Sequence, residues 1–83
     1  MAWTSRADQI DRDGPDLLYQ QVADDVAAMV TSGELPPGSR LPAEHELMEI
    51  YAVSRPTVRS AVAELRKSGM VTVVRGRGTY VKR

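Results

Sequence analysis

A mainly α fold, three helices followed by a small β-hairpin, is predicted for this 83-residue chain by three observations. Apolar residues recur at helical spacing in three successive stretches between residues 16 and 68. Each stretch ends at a glycine or a short break, and after Gly69 the pattern changes to β-branched residues around a glycine-rich turn. The length suits one domain, and a domain this small buries only roughly 60% of the surface its unfolded chain exposes. With no Phe, one Trp and three Tyr, its core must be built mainly from aliphatic side chains.

Residues 1–14 are polar, with Trp3 and Ile10 as isolated apolar residues, and predict a mobile N-terminal tail. Gly14-Pro15 opens the domain, expected over residues 15–83. Leu18, Val22, Val26, Met29 and Val30 then mark one face of a first helix, from Asp16 to Ser32, which Gly33 terminates. Leu35-Pro36-Pro37-Gly38 is a rigid connecting turn. The second helix, Ala43 to Tyr51, carries Leu47, Met48 and Tyr51 on one face and begins with Glu44 and Glu46, acids suited to the positive end of a helix dipole. After a break at Ala52-Val53, the Ser54 hydroxyl is placed to cap a third helix, with Pro56 in its first turn, where a missing amide donor costs little. Val58, Ala61, Val62 and Leu65 are the buried stripe of that helix, which runs to Ser68 and stops at Gly69. Val71 to Arg75 and Thr79 to Lys82 are two strands joined by Gly76-Arg77-Gly78.

Composition narrows the function. Cysteine is absent, which removes disulfides, thiol nucleophiles and thiolate zinc sites. The single histidine, without a Ser/His/Asp spacing near a glycine-rich elbow, gives no enzyme signature and no cofactor site. No apolar run reaches the roughly 20 residues of a membrane span and no signal peptide is visible, so a cytoplasmic protein is expected. The net charge is zero, yet the signs are sorted: residues 1–54 hold three arginines against ten acids, and residues 55–83 hold eight basic residues against Glu64 alone. A basic third of this strength fits phosphate binding, while the acidic remainder discourages docking in other orientations.

Two helices joined through a tight break, the second basic on its exposed face, make a helix-turn-helix, and the following hairpin makes it winged. In such a unit the second helix enters the major groove of double-stranded DNA. Arg55 and Arg59 lie four residues apart on one face, where arginine can form paired hydrogen bonds to guanine. Ser54 and Thr57 add hydroxyls at the helix start, where backbone amides also favour phosphate. Arg75, Gly76 and Arg77 form a bare hairpin tip able to lie on phosphates or enter a minor groove. Each feature also has a plain structural meaning, since Ser54 can serve only as a cap and exposed arginines can be solvated charges.

Leu41-Pro42-Ala43-Glu44, Tyr51-Ala52-Val53-Ser54-Arg55-Pro56-Thr57-Val58-Arg59, Leu65, Gly69 and Gly76-Arg77-Gly78-Thr79-Tyr80-Val81 together resemble the signature of GntR-family DNA-binding domains. The resemblance covers residues 15 to 83 and implies operator binding as a homodimer on palindromic DNA, usually to repress transcription. It places the contacts on Ser54, Arg55, Thr57 and Arg59 and on Arg75, Gly76 and Arg77. Three departures stand out. His45 occupies a position where many members carry arginine, and an imidazole would make a weaker, pH-dependent phosphate contact. Ala52 replaces a common glycine, which predicts a strained or reshaped turn, and Ala43 replaces a frequent serine cap. Family members usually continue into a C-terminal effector domain, so no small-molecule effector site is expected within these residues. The competing reading is a winged-helix protein-interaction module whose basic face is incidental.

Overall fold

The computed structural model describes residues 3–83, and its elements follow the predicted order. A 3₁₀ turn at Ala7–Gln9 precedes α1 (Leu18–Thr31), α2 (Glu44–Tyr51), α3 (Arg55–Lys67), β1 (Val71–Val74) and β2 (Gly78–Val81). The hairpin is antiparallel, with Val71 opposite Val81 and Val74 opposite Gly78. One core collects Val22, Ala23, Val26 and Met29 from α1, Leu47 and Tyr51 from α2, Val58, Ala61 and Leu65 from α3, and Val71 and Val81 from the hairpin. Leu18, Val30, Met48 and Val62, also expected inside, are half-buried and pack at the margin of that core.

The connection between α1 and α2 does more than turn. Leu41 N donates to Thr79 O (2.8 Å), Gly38 N donates to Val81 O (2.8 Å) and Val81 N donates to Ser39 O (2.7 Å). Residues 38–41 therefore line the free edge of β2, so the hairpin is tied along β2 to the connection between α1 and α2 rather than projecting alone.

Residues 3–13, within the stretch expected as a tail, form a strap across α1 and α2; residues 1 and 2 lie outside the described residues. Ile10 is buried in the core, and Trp3 packs against that core and lines a groove with Pro42 and Ile50. Arg6 grips Asp25 of α1 through Nε and Nη2 at 2.5 and 2.9 Å, while its backbone N donates to Ile50 O at 2.8 Å. The Tyr51 hydroxyl donates to the same Asp25 carboxylate at 2.6 Å. Burial alone would push Asp25 up, but the bonds from Arg6 and Tyr51 outweigh it and hold the carboxyl below its usual range. Burial and the neighbouring carboxylate push the Tyr51 hydroxyl well up. Apolar residues too sparse to nucleate an element have thus found their burial on elements made elsewhere in the chain.

Candidate nucleic-acid interface

The start of α3 is built locally. Ser54 is extended, and its Oγ accepts from Thr57 N at 3.4 Å and lies 3.0 Å from the Thr57 hydroxyl, while Pro56 occupies the first turn. This arrangement aims the start of α3 outward and leaves Ser54, Arg55 and Arg59 exposed, with Thr57 half-buried. The bend into α3 depends on Ala52, which sits in the left-handed region at φ 54°, ψ 50° as the C-cap of α2. The turn keeps the shape a glycine would give it, and alanine holds that shape under strain. At the other end of α2, Ala43 offers no side-chain acceptor, and the one bond made there is from its backbone N to Glu46 Oε1, 2.8 Å. The Glu46 half of a capping box is thus present, and the half a serine would supply is missing.

Glu44, in the first turn of α2, reaches Arg55 and Arg59, two of the three arginines of α3. Arg59 Nε donates to Glu44 Oε2 at 2.8 Å, and Arg55 Nη1 donates to Glu44 Oε1. The Arg59 and Arg55 bonds hold the Glu44 carboxyl below the ordinary carboxylate range. Sequence reasoning gave Glu44 a helix-dipole role and a place in the family signature, with no link to the arginines of α3. A guanidinium has five N–H donors, and Glu44 takes Nε of Arg59, which leaves both terminal nitrogens of that arginine free for a paired contact. The carboxylate orients the arginines without consuming them.

The hairpin presents Arg75, Gly76 and Arg77 exposed at its tip, with Arg77 N donating to Val74 O at 2.9 Å to close the turn. Between α3 and the hairpin runs a cleft lined by Arg40, Glu44, Val58, Arg59 and Gly78. Arg40 lies so close to Gly78 that a Cβ there would meet its Nε at 2.9 Å, and Gly78 itself has φ 128°, so this position requires glycine. Arg40 is a second residue the sequence reading passed over, because only the pairing of residues 38–41 with β2 brings it to the cleft. Arg59 also borders the outer groove with Arg66, Lys67 and Val73. His45 is exposed on α2 and shares a groove with Ser54, Arg55 and Thr57. The expected residues therefore occupy two regions, the start of α3 with His45 and the hairpin tip, linked by the cleft in which Arg40 and Arg59 lie. Among the described residues no group of His, Cys, Asp and Glu side chains is arranged to hold a metal ion.

These features define a winged helix-turn-helix protein: α2, a tight turn, an exposed basic α3 and a two-stranded wing. The chain belongs to the gntR family of bacterial regulatory proteins, whose model matches residues 18–81. It is 43% identical over 65 residues to the mannosyl-D-glycerate transport/metabolism system repressor MngR of Escherichia coli, a match covering 78% of this chain and 27% of that relative. The structure of YtrA from Sulfolobus acidocaldarius, a GntR-family transcription factor, superposes with a TM-score of 0.83 at 35% identity, over 89% of this chain and 78% of that one. The structure of AraR(DBD) in complex with operator ORX1 gives a TM-score of 0.78 at 34% identity, over 83% and 89% of the two chains. The chain spans about a quarter of the length of curated relatives such as MngR.

Proposed function

We propose that this chain is a sequence-specific reader of double-stranded DNA in transcription regulation, acting in repression, with α3 in the major groove and the wing on the backbone or in the minor groove. The observation that carries this reading is the continuity of the basic surface. Arg59 of the exposed helix borders both the cleft toward the wing and the outer groove with Arg66 and Lys67, so helix and wing can engage one duplex together. Crystal structures of the similar AraR(DBD) with operator DNA support it.

In this reading Arg55 and Arg59 contact bases, Ser54, Thr57 and His45 contact phosphates near the start of α3, and Arg75, Gly76 and Arg77 contact the backbone or minor groove. Residues 15–83 form the binding domain, braced by the strap. The protein acts without catalysis, in the cytoplasm, in keeping with a family of regulatory proteins; among the described residues no helix is long and apolar enough to cross a membrane. Two copies pair on a palindromic operator, because one helix and one wing cover a single half-site.

Anisotropy titration with a random duplex at several salt concentrations tests the reading. Affinity should fall steeply with salt, and Arg77→Ala should lower the slope of log K against log salt by about one. Selection of duplexes from a random pool should then yield a palindrome, and Arg59→Ala should cost roughly 1–3 kcal/mol on it and relax one base position. Negligible, salt-insensitive binding would instead favour a protein-docking role for the same fold.

A further inference from the structure

We infer that Arg12, which precedes the family-matched residues 18–81, is an additional phosphate contact, so that the N-terminal strap is part of the DNA interface as well as of the fold. This rests on the DNA-binding reading and extends it to a segment that the sequence pattern leaves out. The Arg12 side chain crosses to the end of α2, where its Nη2 donates to Tyr51 O at 3.0 Å and to Ala52 O at 2.8 Å. Those carbonyls are acceptors that a helix leaves without intrahelical partners at its C-terminus, and they carry partial negative charge. Two bonds to one nitrogen fix the guanidinium plane and leave the N–H groups of Nε and Nη1 free.

Arg12 lines a groove with His45, Ser54, Arg55 and Thr57, the residues assigned to the DNA backbone and bases around the start of α3. Glu49 shares that groove as well, and its charge opposes a phosphate. Arg12 offsets it. An exposed arginine usually gives up much rotamer freedom on binding a phosphate, but this one is already held by Tyr51 and Ala52, so less ordering is required. The carbonyl it holds most closely is that of the strained Ala52, so one side chain both braces the turn into α3 and supplies a positive charge beside it.

The test compares the salt dependence of duplex binding for the wild-type chain, Arg12→Gln and Arg12→Lys, with folding of each followed by circular dichroism. Glutamine retains an amide donor for the carbonyls without the charge, whereas lysine retains the charge. Arg12→Gln should lower the salt slope by about 0.9, which shrinks the affinity change between about 50 and 200 mM salt roughly 3.5-fold, and Arg12→Lys should restore the slope. Wild-type slopes for both variants, even with weaker binding, would reduce Arg12 to a cap and overturn the inference. Nitrogen-15 spectra of the wild-type arginine side chains provide a readout independent of any substitution. The Arg12 Nε–H resonance should shift when duplex is added, and an unmoved resonance at saturation would overturn the inference equally. Failure of the DNA-binding reading itself is distinguishable, because the wild-type chain would then show no salt-dependent duplex binding at all.

Discussion

At the scale of single residues, two carboxylates have opposite tasks. Glu44 is a half-buried surface clamp on the exposed Arg55 and Arg59, and ion pairs at the surface contribute little to folding. Its effect is expected in recognition. Glu44→Gln should leave the melting temperature unchanged, tighten binding to random duplex by removing a negative charge, and narrow the preference for the selected site as the arginines lose their orientation. Titrating both duplexes with both proteins checks this, and an unchanged preference would show that the arginines orient themselves. Asp25 belongs to the interior, and its loss leaves Arg6 and Tyr51 without their shared acceptor. Asp25→Asn should cost about 1–3 kcal/mol, a fall in melting temperature of roughly 5–15 °C for a domain of this size. Because the folded carboxyl titrates below its unfolded value of 3.8, its stabilisation is complete above that value and is lost as the pH falls through the folded one. Melting temperature attributable to Asp25 should therefore be flat from about pH 6 to 8 and drop only on strong acidification, and the asparagine variant should lack that drop.

At the scale of elements, α2 is the least self-sufficient helix. It spans eight residues, begins at Ala43 without a side-chain cap and ends on an alanine in a left-handed conformation. Isolated helices of this length are marginal, so α2 relies on burial of Leu47 and Tyr51, on the bond from the Ala43 N–H to its own Glu46 and on the external bonds from Arg12. Each end can be improved separately. Ala52→Gly should raise stability by about 1 kcal/mol through relief of the left-handed alanine, and Ala43→Ser by about 0.5–1 kcal/mol through a cap. Denaturant unfolding of the two single variants and the double variant checks both values and their additivity. A destabilising Ala52→Gly would mean that glycine's added freedom in the unfolded chain outweighs the strain. The hairpin shows the converse dependence, since β2 is paired with β1 on one edge and with residues 38–41 on the other.

At the scale of the whole molecule, the helical stripes are spent on one core. Among the described residues the large hydrophobic ones left exposed are Leu17 on the α1 side and Val73 and Val74 on the wing, which do not add up to an extended apolar face. The 83-residue chain should therefore sediment as a monomer at micromolar concentration and take up a second copy only on a duplex carrying two half-sites, where the DNA supplies proximity. A stable dimer without DNA, or saturation at one copy per two-half-site duplex, would contradict this. Charge segregation acts at the same scale. The acids of the first two-thirds of the chain favour approach through α3 and the wing, with Glu44 and Glu49 as the acids that border the interface grooves.

What the sequence by itself determined is local in origin. The stripe at Val58, Ala61 and Leu65, the Ser54 cap, the stop at Gly69 and the change of period at Val71 are read within a few residues of where they act, so the order and type of elements were legible, as were the exposed arginines of α3 and the wing. Tertiary structure alone decided what passes between distant residues. Arg6 meets Asp25 across 19 positions, Glu44 meets Arg55 and Arg59 across 11 and 15, and Arg12 reaches Tyr51 and Ala52 across 39 and 40. No periodicity or propensity records such pairs, because each residue type is equally at home on a solvated surface. Only chain closure, which brings the strap onto α1 and α2 and residues 38–41 onto β2, sets them within hydrogen-bonding distance.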